Sequence, residues 1–127
     1  MIRASIISKA VGEAIQAKHS HQVGAVIFNK RYIISSGRNY PCKSVKHLKP
    51  IYSRWKGSVH AEVDAVIKAR RDVRGCSILV LRLVSTGFGM AKPCSQCYSF
   101  LEHVGIKTIF FSNERGGIVQ DGIVHKM

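Results

Sequence analysis

Hydrophobic and polar positions along this chain follow two periods, and the switches between them outline its elements. Residues 2 to 18 place Ala4, Ile7, Val11, Ala14 and Ile15 on one stripe, with Arg3, Ser8, Lys9, Glu13 and Gln16 elsewhere. That is the 3.6-residue period of an amphipathic helix with one face on a sheet. Val23 to Phe28 is apolar and β-branched, Asn29-Lys30-Arg31 has turn chemistry, and Tyr32 to Gly37 resumes strand character, which predicts a hairpin. From Pro41 to Ser58 neither period holds. His60 to about Arg71 reads as a second helix, with Val63, Val66, Ile67 and Arg70 on one face and Asp72-Val73-Arg74-Gly75 as its stop.

Ser77 to Val84 has the near-continuous apolar content of a buried central strand. Ser85 to Lys92, with Gly87 and Gly89 around Phe88, reads as a flexible loop that delivers the chain to Pro93. Pro93 suits a helix entry, so Cys94 to Val104 is predicted as a third helix, stopped by Gly105, and Lys107 to Phe111 as another strand. Asn113 to Gly117 is turn chemistry, after which Ile118-Val119-Gln120 with Ile123-Val124 makes a last strand. A parallel return needs a crossover of about a dozen residues or more, so an antiparallel final hairpin is expected. With 127 residues and no linkers, repeats or low-complexity tracts, residues 1–127 read as a single domain.

Charge alters the picture next. Twenty Lys and Arg against seven Asp and Glu leave a net charge of +13, a field that favours anionic partners, nucleic acid foremost. The segment between Pro41 and Ser58 concentrates it: Lys43, Lys46, Lys49, Arg54 and Lys56 occur with no acid, interleaved with Tyr52 and Trp55. Cations track phosphates and aromatic rings stack on bases. Lys43, Lys46, Lys49, Arg54, Trp55 and Lys56, together with Phe88, are therefore the candidate phosphate or nucleic-acid contacts; the alternative is a basic loop that touches nothing. No apolar run reaches eighteen residues, so no membrane span is expected. The first residues show no signal-peptide pattern, and the expected compartment is the cytoplasm.

The candidate chemistry sits where the second and third helices begin. Val59-His60-Ala61-Glu62-Val63 and Pro93-Cys94-Ser95-Gln96-Cys97 bring one His, one Glu and a C-x-x-C pair. In a reducing compartment such a pair reads as metal-binding or redox rather than as a disulfide framework. Three borderline or soft ligands and a spare carboxylate match a catalytic zinc site, which keeps one position open, whereas a structural site closes its tetrahedron with four protein ligands. Cys42 or His47 could supply that fourth ligand and make the site inert, while Cys76 reads as a small buried residue. Cys94 and Cys97 share one face of a first helical turn, but residues two apart on a helix point about 200° apart. His60 and Glu62 therefore reach one site only at a frayed helix start.

These two motifs, with Val23-Gly24-Ala25-Val26-Ile27 and Gly37-Arg38-Asn39 in the first hairpin, resemble the cytidine/deoxycytidylate deaminase superfamily, whose signatures are H-A-E and P-C-x-x-C. The resemblance covers roughly residues 4 to 112. It implies an α/β fold: a three-layer α/β/α sandwich around a central mixed five-stranded sheet. It implies one Zn2+ held by His60, Cys94 and Cys97, with Glu62 as the proton shuttle. Asn39 would contact the sugar or base and the Ala61 backbone the base carbonyl, although Asn39 also suits a plain turn. The implied activity is hydrolytic deamination of cytosine to uracil, in a nucleotide or in single-stranded DNA or RNA, by a homo-oligomer, a dimer or tetramer.

Two alternatives stand beside it. One is an adenosine-to-inosine deaminase acting on tRNA or single-stranded DNA, since the pocket and not the metal motif selects the base. The other is a non-catalytic, zinc-stabilised nucleic-acid-binding module. The antiparallel final hairpin resembles the free-cytidine and blasticidin branch of the superfamily, while the basic segment argues for a phosphate-bearing substrate.

Overall fold

The computed structural model describes residues 2–17, 21–41 and 58–122, without the side chains of Tyr40, Pro41, Ser58 and Gly122. Helix α1 spans Ala4–Gln16, followed by strands β1 (Gln22–Asn29) and β2 (Tyr32–Arg38). Two short strands, β3 (Tyr40–Pro41) and β4 (Ser58–Val59), pair antiparallel with each other. Helix α2 (Ala61–Ala69), β5 (Ser77–Val84), β6 (Gly87–Gly89), α3 (Ser95–Val104), β7 (Thr108–Ser112) and β8 (Ile118–Gly122) complete the order.

The main sheet runs β2-β1-β5-β7-β8, with β6 paired to β5 outside that path. Among the described residues only the β5–β7 pair is parallel; β1–β2, β1–β5, β5–β6 and β7–β8 are antiparallel. The sheet is mixed and the last two strands form an antiparallel hairpin, as expected. A sixth strand is the difference, because Gly87–Gly89 folds back onto Val84 and Arg82 rather than forming a free loop. Two glycines in three residues carry too little side chain to announce a strand.

Core residues divide by face. On one side Ala25 and Ile27 of β1, Ile78 and Val80 of β5, and Ile109 and Phe111 of β7 pack with Val63 of α2 and Phe100 of α3. On the other side Val26, Phe28, Leu79 and Leu81 pack with Ile6 and Ala10 of α1. Three layers result, α1 beneath the sheet and α2 with α3 above it. Strands β1 and β5 are buried on both faces, which explains their unbroken apolar runs.

Glycines set how closely the outer layers approach. A Cβ on Gly24 of β1 would lie 2.2 Å from the Ala10 carbonyl oxygen, and one on Gly37 of β2 would lie 2.4 Å from the Ala65 nitrogen. Backbone of α1 and backbone of α2 thus rest directly on neighbouring strands, from opposite sides.

The buried face of α1 is rotated from the predicted stripe. Ile6, Ala10, Glu13 and Ala14 face inward, whereas Ile15 is 60% exposed. Glu13 turns in because its charge is met there: Arg38 Nε donates to Glu13 Oε1 at 2.8 Å and the Ser36 hydroxyl donates to Oε2. Helix α3 ends at Gly105, whose φ of 88° is left-handed and whose N–H bonds back to Glu102 and Leu101, as a glycine after a helix allows.

Candidate active site

Two helix starts converge on the site. His60 precedes α2 with φ −77° and ψ 152°, and Cys94 precedes α3 with φ −70° and ψ 168°. Both are extended N-cap residues whose carbonyls accept the first helical bonds, from Asp64 N–H at 3.0 Å and Tyr98 N–H at 2.9 Å. Neither has a side-chain capping bond, so the imidazole and the thiol are directed elsewhere. The extended backbone also resolves the His60–Glu62 spacing. His60 lies outside the helical screw, so the 200° rule does not separate it from Glu62.

The sheet supports this arrangement from below. Asp64, one turn into α2, is buried and accepts the Arg38 backbone N–H at 3.0 Å and Lys68 Nζ at 2.9 Å. The Ser35 hydroxyl donates to the Ala65 carbonyl at 2.7 Å. With Gly37 beneath Ala65, these bonds fix the height and rotation of α2 on β2. They thereby fix where Glu62 points.

His60, Cys94 and Cys97 each bring one ligand atom, and these atoms lie within 4.8 Å of one another. His60 Nδ1 and Cys97 Sγ are 3.3 Å apart. A tetrahedral zinc with Zn–S near 2.3 Å and Zn–N near 2.0 Å needs donors about 3.5–3.8 Å apart, so the geometry fits with little adjustment. Cys94 is exposed and Cys97 fully buried. Burial, then the nearby Glu62 carboxylate and Cys94, push the Cys97 thiol well above its ordinary range. A dication bound by these donors would favour the thiolate instead.

Glu62 is 5% exposed. Burial raises its carboxyl above the ordinary range, opposed in part by hydrogen bonds from its own backbone N–H and from Cys97. Ala61, buried at the first helical position, presents an N–H with no acceptor inside the helix. His60, Ala61, Glu62 and Cys94 line a cavity of about 340 Å³, within the range of small-molecule sites; Cys97 is buried and does not line it.

The hairpin contributes Asn39, which is 7% exposed and lines that cavity. Its Oδ1 accepts the Val23 N–H at 3.0 Å and its Nδ2 donates to the His21 carbonyl at 2.6 Å. Asn39 thus holds the entry of β1 in place while facing the pocket. Phe88 lies elsewhere: it packs with the α1-side core and does not line the cavity. Lys43, Lys46, Lys49, Arg54, Trp55 and Lys56 fall outside the described residues, as do Cys42 and His47. The segment that carries them leaves at Pro41 and returns at Ser58, paired backbones immediately before His60. Cys76 is buried in the core, as its sequence position suggested.

Sequence reasoning missed two residues. Ser112, fully buried, accepts the Arg82 N–H at 3.1 Å and donates to the Gly89 carbonyl at 2.7 Å, and its own carbonyl accepts the Ala91 N–H at 3.0 Å. It ties β5, β6 and β7 together where the chain turns toward Pro93 and Cys94. Arg82 itself lines the cavity. Its Nε is buried with no hydrogen-bond partner among the described residues, a state that costs about 1–3 kcal/mol. The signal was present as the one charge inside the apolar run of β5.

The profile of the cytidine and deoxycytidylate deaminase zinc-binding region matches residues 3–113. An uncharacterised deaminase encoded in the luxG 3' region of Aliivibrio fischeri is 31% identical over 102 residues, which cover 72% of this chain and 58% of that protein. The chain therefore spans somewhat over half of that relative. The fold is shared with cytidine deaminase from Burkholderia pseudomallei (TM-score 0.68, 19% identity, 96% of this chain and 93% of that one). It is shared too with dCMP deaminase from the cyanophage S-TIM5 (TM-score 0.59, 20% identity, 86% and 80%). Donor geometry and profile agree, and this chain belongs to the cytidine and deoxycytidylate deaminase zinc-binding family, with one zinc ion as its cofactor.

Proposed function

We propose that the chain is a hydrolytic deaminase that converts a cytosine base to uracil in a phosphate-bearing substrate. The observation that carries this reading is the three-donor group His60, Cys94 and Cys97 together with the buried Glu62 carboxylate, of which His60, Cys94 and Glu62 line one cavity. Zinc held there supplies a Lewis acid that brings the acidity of a water toward neutrality. Glu62 takes one proton of the attacking water at its carboxylate and passes it to the ring nitrogen, then takes the remaining hydroxyl proton and delivers it to the departing amine. The carbon–nitrogen bond breaks, a carbonyl forms, and ammonia leaves.

Ala61 and Asn39 line the same cavity; by the family resemblance the Ala61 N–H would meet the base carbonyl and Asn39 the sugar or base. A net charge of +13 supports a substrate that carries phosphate. The test is mass spectrometry of products after incubating zinc-loaded protein with cytidine, dCMP, single-stranded DNA and tRNA. Exchange of the cytosine amine for oxygen is expected. Exchange on adenine alone, or no exchange on any substrate, overturns the reading. Sedimentation of the same samples reads whether the protein is the dimer or tetramer that the family resemblance implies.

A further inference from the structure

Strand β5 carries one charged residue, Arg82, among Ile78, Leu79, Val80, Leu81 and Leu83. Alternation along a strand puts Val80 and Arg82 on the same face, the one that packs with α2 and α3. Both line the cavity, with Arg82 one pleat repeat, about 7 Å, further along the strand. Its position is held twice: the backbone N–H by the Ser112 hydroxyl at 3.1 Å, and Nη2, which donates to His21 Nδ1, at 3.1 Å. Nε is buried without a partner, and no carboxylate pairs with the guanidinium among the described residues. Buried donors are ordinarily satisfied, whereas the Nη2 end of the guanidinium meets His21 at the exposed side.

We infer that Arg82 receives the phosphate of the substrate and so makes this site select nucleotides over nucleosides; the inference rests on the deaminase reading above. A guanidinium offers a planar fork of donors that matches phosphate oxygens, more directionally than an ammonium does. Its surroundings have the right sign. Lys92, exposed, and His21 border the same cavity. Glu62, the carboxylate lining the cavity, sits at the head of α2 beside Cys97, with the metal donors. The ligand chemistry is a phosphate on the sugar of the reacting base, either the monoester of a mononucleotide or the diester of a strand.

The experiment compares zinc-loaded wild type with Arg82→Gln and Arg82→Lys, each first shown to be folded by circular dichroism. For turnover, kcat and KM are measured on dCMP, deoxycytidine and a short oligodeoxynucleotide containing one cytosine. Binding of dCMP and of deoxycytidine is measured by calorimetry, with inorganic phosphate as competitor. In Arg82→Gln the preference for dCMP over deoxycytidine should fall 10- to 100-fold, mainly through KM, and competition by phosphate should disappear. Arg82→Lys should keep part of the preference. If the same loss appears only on the oligonucleotide, the phosphate is a diester. Equal losses on dCMP and deoxycytidine would overturn the inference, since Arg82 would then serve the base or the sheet. If wild type deaminates nothing, the deaminase reading fails, and calorimetry decides alone: a dCMP preference that vanishes in Arg82→Gln supports the phosphate site, and an unchanged one removes it.

Discussion

Gly37 lies against Ala65 so closely that a methyl group on Gly37 would sit 2.4 Å from the Ala65 nitrogen and 2.9 Å from the Ala61 carbonyl oxygen. Both neighbours are backbone of α2, which cannot move aside as a side chain could. Gly37→Ala should therefore lift the head of α2 off the sheet. Overpacking of this kind costs about 1–3 kcal/mol, and the displaced atoms belong to the helix that carries Glu62. We expect a lower midpoint in denaturant unfolding and a larger fractional loss of activity than of stability. A variant with both properties unchanged would mean that the helix is not seated by this glycine.

Glu62→Gln keeps the shape of the side chain and removes its ability to take a proton. Turnover should drop by a factor of about 10²–10⁴, the usual contribution of a positioned general acid–base group, with one zinc still bound per chain. Metal analysis beside the activity assay checks both halves. Full activity in this variant would end the proton-shuttle assignment.

Removal of the metal should loosen the contact between α2 and α3. Exhaustive chelation is expected to lower the thermal midpoint, and stoichiometric zinc should restore it, because an ion that binds only the folded chain adds stability by mass action. Cys97→Ser should show the low midpoint from the outset and gain little on zinc addition. A midpoint indifferent to chelator in the wild type would contradict a shared site.

The Glu13–Arg38 pair predicts a pH dependence with a definite sign. Burial works against the Glu13 charge, but the hydrogen bonds from Ser36 and Arg38 outweigh it and hold the carboxyl below its ordinary value of 4.5. A carboxyl depressed in the folded state contributes its stabilisation above the unfolded value and loses it as pH falls through the folded one. Stability of the wild type should therefore decline below about pH 4.5 more steeply than that of Glu13→Gln. At neutral pH the variant should be weaker by about 1–3 kcal/mol, the cost of breaking a partly buried, charge-assisted bond. Parallel pH profiles for the two proteins would remove Glu13 from the account.

What the sequence disclosed follows the range over which each feature is encoded. Helix α3 and its cysteines were legible because Pro93, the C-x-x-C spacing and Gly105 all lie within a dozen positions. Strand β5 announced itself by composition. The face of α1 was misjudged because Glu13 is drawn inward by Ser36 and Arg38, partners on β2 that no local period reveals. Arg82 had a visible oddity without an explanation, since its neighbours Ser112 and His21 come from distant parts of the chain. The relation of His60 to Glu62 needed the extended N-cap backbone, which spacing alone cannot express.

The three metal donors come from the heads of α2 and α3, with all of β5 and β6 between them in the chain. Cys94 and Cys97 both belong to the start of α3, whereas His60 meets them only where α2 is seated beside it. A chain with α2 misplaced offers the ion two ligands rather than three and releases it more readily. The cofactor thereby inspects the assembly of the molecule that uses it, and firm retention of the metal reports that the two halves of the domain have met correctly.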